Sequence, residues 1–318
     1  MKPNLITHAD WGTNPRKQWL ARAELQPDGR YLAHAPEPVG QAETLIARLR
    51  RAAGANRCLF LGFDFPIGLP LAYAEQVGLD DFLTLLPQLG QGQWADFYNV
   101  ATQPAEISLY RPFYPMRPGG TRQQHLLDGL GVASLGELRR VCDQSHSNRR
   151  AAAPIFWTLG GQQVGKAAIN GWQTVLAPAL RAEEVPLAIW PFSGPLAELF
   201  QPGQVVVAET YPAEFYTHLG VTFSPSRPGQ KSGKRVQAER RANESTLLAW
   251  VAEVGVTLSP ELQATLSDGF GSKSDGEDRF DALVGLLGML NMVLNHRSPG
   301  GPAEERVRRV EGWILGLE

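Results

Sequence analysis

The sequence predicts an α/β fold: a mixed five-stranded sheet flanked by helices, with a large, mostly helical insertion after the fourth strand. Three observations carry that expectation. Strand-like patterns near the start give way to a helical pattern and then to the apolar run Cys58-Leu59-Phe60-Leu61. A short unbroken run of this kind is what a strand buried on both faces looks like. Apolar strand patterns also stop repeatedly on an acid, at Asp10, Asp64 and Glu209. From about residue 71 to 186, short helical patterns alternate with Pro/Gly-rich loops such as 111–120.

Residues 5–10, LITHAD, are the first strand, and Trp11-Gly12-Thr13-Asn14-Pro15 is the turn after it. In 17–25, Trp19, Ala21, Ala23 and Leu25 alternate with polar residues, a strand pattern. Gln26-Pro27-Asp28-Gly29 is a turn in which proline presets the bend and glycine accepts positive φ. Residues 30–34 complete a meander. The period changes over 39–53: Leu45, Ile46 and Leu49 recur at helical spacing, arginines 48, 50 and 51 lie near the end, and Gly54 stops the helix. The run at 58–61 follows and ends on Asp64, in a loop stiffened by Pro66 and Pro70. Strand, strand, strand, helix, strand is the order of the first half of an RNase H-like fold, whose fourth strand runs parallel to the first.

Residues 1–318 are therefore expected to form a single RNase H-like domain, with the helical insertion of about 71–186 inside it. Helices are expected there at 72–77, 81–86, 122–130, 135–142 and 164–181. Strands follow at 187–190 and 205–209, then a short helix at 212–219 closed by Gly220. Residues 229–254 hold a basic loop and a long helix, and 259–266 another short helix. An apolar helix at 277–294 carries Glu277, Asp278 and Asp281 in its first turns. The tail at 310–315 adds an edge strand or covers the core.

Composition narrows the function classes. Lysine and arginine number 30 against 32 aspartates and glutamates, a formal net charge of −2. No global attraction to nucleic acid or anionic membrane follows from that, so any nucleic-acid contact needs a local basic face. Two cysteines, Cys58 and Cys142, supply neither a disulfide framework nor a thiolate metal cage. The opening residues lack the apolar core of a signal peptide, and the most apolar stretch, 282–294, is too short to span a bilayer. A cytoplasmic protein without a membrane partner is expected.

The acids are the candidate site. Asp278 and Asp281 are three apart on one helix and project together. If the strands ending on Asp10, Asp64 and Glu209 are neighbours, these carboxylates converge on one rim of the sheet, where open α/β sheets keep their ligand crevices. Clustered carboxylates repel one another unless a cation neutralises them. An all-oxygen set suits Mg²⁺ or Mn²⁺, and two such ions can activate water and stabilise the leaving oxygen in phosphodiester hydrolysis. Asp10, Asp64, Asp278 and Asp281 are the expected ligands, with Glu209 a further catalytic candidate. First-turn acids also complement a helix dipole, and Asp275 with Asp278 can form a capping arrangement. That alternative accounts for Asp278 better than for Asp281, which lies inside the apolar segment. Lys231, Lys234 and Arg235, within the basic stretch from Arg227 to Arg241, are candidate phosphate contacts for a nucleic-acid partner. The competing reading of that stretch is a solvated helix face.

Taken together, ITHADWG, FDFPIGLP, VAETYPAEFY, the basic KSGKR segment, DRFDALVGL and EGWILGL resemble the family called domain of unknown function 429. That family is described as predicted RNase H-like nucleases. The set Asp10, Asp64, Asp278 and Asp281 is also similar to the four-acid pattern of bacterial Holliday-junction resolvases. The resemblance covers most of the chain outside the insertion and rests on the order of short motifs. His8-Ala9 departs from it, standing where small apolar residues are expected before the first acid. What it implies is the fold and a metal-dependent nuclease or a nuclease-derived protein.

Two other functions compete. Asp10-Trp11-Gly12-Thr13 resembles the first phosphate loop of actin-like and sugar-kinase ATPases, which would make the chain an ATP-dependent phosphotransferase. No second phosphate loop accompanies it. A non-catalytic binding protein on the same fold is the third class. Gly160 to Ala167 imitates a P-loop, but Ala167 stands where a hydroxyl should hold Mg²⁺. The six histidines form no metal spacing; His8 reads as a strand residue and His218 as a helix-end residue.

Overall fold

A computed structural model of the chain describes all residues except 147–148, 161–163, 183–184 and 226–232. The chain is α/β with a mixed eight-stranded sheet. It divides into two compact units: Met1–Asp64, Leu196–Gly300 and Leu315–Glu318 in the first, Phe65–Pro195 and Gly301–Ile314 in the second.

The first unit opens with β1 (Leu5–Asp10), β2 (Trp19–Leu25), β3 (Tyr31–Ala33), β4 (Glu37–Pro38), α1 (Leu45–Ala53) and β5 (Leu59–Phe63). The second unit carries α2 (Leu71–Val77), α3 (Phe82–Leu85), α4 (Gln123–Leu130), α5 (Val164–Gly171), α6 (Ala177–Ala182) and β6 (Leu187–Trp190). Back in the first unit come α7 (Leu196–Leu199), β7 (Val205–Glu209), α8 (Pro212–His218), α9 (Gln237–Ala242), α10 (Glu244–Val254), β8 (Thr257–Leu258), α11 (Pro260–Ser267) and α12 (Gly276–Val293). The second unit ends with α13 (Glu305–Val310).

In the first unit β1 lies between β2 and β5, antiparallel to the former and parallel to the latter. β7 runs parallel on the other side of β5. β3 continues the meander from β2, and β8 pairs parallel with β3. β1, β5 and β7 are buried along their whole lengths, as central strands covered on both faces must be. The strands number eight rather than the expected five. Two of the additional ones, β4 and β8, are only two residues long, too short to imprint a period on the sequence.

α12 is the central helix of this unit. Every residue from Phe280 to Val293 is buried, so its apolar character wraps the whole circumference. It lies close against the sheet. A Cβ on Gly285 would stand 2.2 Å from the His8 ring, and one on Gly62 would stand 2.5 Å from Met289 Sδ. Both glycines permit an approach that no side chain allows.

Two expected elements differ. The helix within 229–254 is two helices, α9 and α10, divided at Asn243. That buried side chain donates to the Thr222 and Glu239 carbonyls at 2.8 and 2.9 Å and accepts from Thr222 N. Residues 135–142 form turns and one 3-10 turn, Val141–Asp143, instead of a helix. Arg140 is extended there (φ −67°, ψ 161°) because its guanidinium is drawn into the interior of the second unit. Of the two alternatives for the tail, the structure takes the second: no strand forms over 310–315, and Trp313, Ile314 and Leu315 are buried and cover core. Of the P-loop-like segment, residues 161–163 lie outside the described residues, and α5 begins directly after them.

The interior of the second unit is aromatic. Trp172 is fully buried, stacks on Phe97 and donates its indole N–H to the Pro66 carbonyl at 2.7 Å. Among the described residues, no helix is long and apolar enough to cross a membrane.

Candidate functional site

The parallel register brings three strand ends to one rim of the sheet. Ala9 pairs with Phe63, and Phe63 with Glu209, so Asp10 and Asp64 each stand one residue past a common row. Side chains alternate along a strand, which divides the acids between two faces. His8, two residues before Asp10, packs on α12, donating Nδ1–H to the Ala282 carbonyl (3.2 Å), which leaves Nε2 of the neutral ring to accept from Thr210 Oγ1 (2.8 Å). Asp10 shares that face. Glu209 shares the opposite face with Ala9 and Phe63, and its carbonyl accepts from Leu315 N at 2.9 Å.

Four carboxylates act on one another: Asp10, Asp64, Asp278 and Asp281. Asp10 is 8 % exposed and Asp281 4 %. Burial, with Asp64 and Asp281 close by, holds the Asp10 carboxyl well above the usual carboxylate range, against the opposing pull of Lys234. Burial also pushes Asp64 up to about 7, while the Trp11 N–H, which donates to its Oδ1 at 2.5 Å, pulls it down. Asp10 and Asp64 act on one another, and two carboxylates that close favour the protonated form. Asp278 rises to about 6, chiefly by burial and secondarily through Glu277 and Asp281, with Lys17 opposing at 3.9 Å. Asp275 makes no side-chain cap to α12, so the expected capping arrangement is not formed.

Asp281 has both oxygens engaged. The Tyr216 hydroxyl of α8 donates to Oδ1 and the Lys234 ammonium to Oδ2. Burial raises the Tyr216 pKa, and the Asp281 carboxylate raises it further. For Lys234, burial pulls the ammonium pKa down, but Asp281, with Asp10 and Asp64 behind it, carries it above the ordinary lysine range. Lys234 is therefore not a free phosphate-contacting side chain in this state; it neutralises the acid cluster. Arg235 is exposed, with its Nε 3.6 Å from Glu277. Lys231 and Arg227 lie outside the described residues.

Sequence reasoning missed Tyr216, Lys17 and the place of Lys234. Tyr216 reads as one more apolar position of a short helix after β7. Lys17 follows the first acid closely in sequence, but nothing local signals its reach to Asp278.

The donor set is chemically suited to a hard divalent cation, being oxygen throughout. Among the described residues, however, no group of three acids, histidines or cysteines is placed to hold an ion as the side chains stand. Asp281 would have to give up its lysine partner on Oδ2 first. Neither family models, nor curated proteins, nor solved structures provide a match to this chain.

Proposed function

We propose that the first unit is an RNase H-like domain of a metal-dependent nuclease, or of a protein derived from one, related to the family called domain of unknown function 429. The supporting topology is a three-stranded meander, a helix and a fourth strand parallel to the first. The observation that carries the reading is the buried cluster of Asp10, Asp64, Asp278 and Asp281, two of whose members are raised to about 7 and 6. Such a cluster is electrostatically costly in the protein alone and is relieved by a cation. Mg²⁺ or Mn²⁺, when bound, supplies water activation and charge stabilisation for phosphodiester hydrolysis. Asp10, Asp64 and Asp281 would hold it, with Asp278 beside them. Trp11 N–H orients Asp64, and Tyr216 orients Asp281.

The Lys234–Asp281 ion pair favours a second reading, a nuclease-derived protein in which a lysine has taken over the neutralising role. Thermal unfolding with and without Mn²⁺ separates the two. An active-type site gives a Mn²⁺-dependent rise in Tm that Asp10→Asn and Asp64→Asn each diminish, together with cleavage of oligonucleotides in Mn²⁺. Absence of both the Tm rise and the cleavage would sink the nuclease reading.

A further inference from the structure

Resting on the metal reading above, we propose that Lys234 is the built-in competitor of the divalent cation, and that metal entry expels its ammonium from Asp281. The acids alone do not carry this. The independent observation is that a cation already sits among them, delivered by the 3-10 turn Gly233–Arg235, an element separate from those that carry the acids.

The arrangement has the marks of an exchangeable contact. Asp281 is nearly inaccessible, but the Lys234 side chain is 41 % exposed, so its stem has room to swing into solvent. Its ammonium also acts on Asp10 and Asp64, the same groups that would hold a metal. An ammonium and a divalent ion cannot both occupy Asp281 Oδ2, since like charges at contact distance repel strongly in a low-dielectric site. Tyr216, a neutral donor on Oδ1, faces no such exclusion. The lysine released by the metal is then available on the rim to a phosphate oxygen, where an ammonium is a compact point charge.

Two measurements test this. Calorimetric titration of Mn²⁺ is compared for the wild type, Lys234→Met and Lys234→Arg. Loss of the competing charge should tighten Mn²⁺ binding about tenfold in Lys234→Met, while Lys234→Arg should bind no more tightly than the wild type. In the unaltered protein, labelling of lysines by an acylating reagent, read by peptide mass mapping, should rise several-fold at Lys234 when Mn²⁺ is added. That second measurement needs no variant to fold. Wild-type Mn²⁺ binding with unchanged affinity in Lys234→Met, or with unchanged labelling at Lys234, overturns the competitor role and leaves the metal reading standing. No Mn²⁺ binding by the wild type or Lys234→Met overturns both.

Discussion

Two buried charge clusters, one in each unit, show opposite ways of keeping carboxylates out of water. In the second unit Glu311 is 2 % exposed and receives the backbone N–H of Leu71 on Oε1 (2.8 Å) and that of Val141 on Oε2 (2.6 Å). Arg140, fully buried, grips Asp143 through two nitrogens at 2.8 and 3.2 Å and donates to the Ile67 and Glu311 carbonyls. Each oxygen there has a donor facing it. In the first unit burial raises Asp10, Asp64 and Asp278, as it raises Glu311 in the second; but at Asp10 and Asp64 neighbouring acids add to the rise, whereas at Glu311 two backbone N–H groups and Arg140 oppose it. Buried carboxylates whose every oxygen meets a donor read as structural, whereas buried acids pushed away from their ordinary range mark a candidate site. The difference teaches where to look for chemistry: at the charges the protein leaves incompletely balanced.

The largest effect should come from breaking the satisfied cluster. Arg140→Met leaves Asp143 buried without its partner and should cost about 3–5 kcal/mol, read by chemical denaturation. A cost under about 1 kcal/mol would mean the two clusters do not differ in the way described.

A packing change separates charge from contact in the first unit. Gly285→Ala puts a methyl group onto the His8 ring, where the nearest atoms are 2.2 Å from the new carbon. α12 must shift, at about 1–3 kcal/mol, and Asp281 moves with it. Unchanged stability together with unchanged reactivity of Lys234 would show that the α12–β1 approach does not set the site.

The smallest effect, and the one of opposite sign, belongs to Asp64→Asn in the metal-free protein. The amide oxygen keeps the Trp11 N–H bond, while a member of the repelling set loses its charge. The variant should be as stable as the wild type near pH 4 and more stable, on the order of 1 kcal/mol, near pH 7. The sign follows from linkage. Asp64 is raised from 3.8 to about 7 in the folded protein, so between those values the folded state binds more protons than the unfolded state. Its contribution is present below about pH 4 and is lost as pH rises through about 7. His8, lowered to about 3 by burial, acts the other way: its contribution is present above about pH 6.5 and is lost as pH falls. The difference between variant and wild type isolates Asp64. A variant that unfolds, or that is less stable at every pH, would place Asp64 with the satisfied kind of carboxylate.

Much of the secondary structure was legible because it is written in local patterns. Residues 5–10 and 205–209 are strands as their apolar runs indicate, and the pattern at 277–294 marks α12 to within a residue. The helix expected at 135–142 failed because a buried arginine, not a periodic apolar face, organises that segment. The break at Asn243 was hidden because an asparagine inside a helical pattern looks like any other polar surface position.

The amino-acid sequence by itself determined which residues stand at element ends, since runs, turns and periods are local properties, and Asp10, Asp64, Asp278 and Asp281 were found on that basis. Only the tertiary structure decided how those ends relate. The strand register sets Glu209 on the face opposite Asp10, and the close approach of α12 over Gly285 and Gly62 places Asp281 within electrostatic reach of Asp10 and Asp64. The Tyr216 and Lys234 contacts to Asp281 span 65 and 47 residues of sequence. Contacts over such separations follow from packing, because no propensity or spacing within one segment encodes a partner in another.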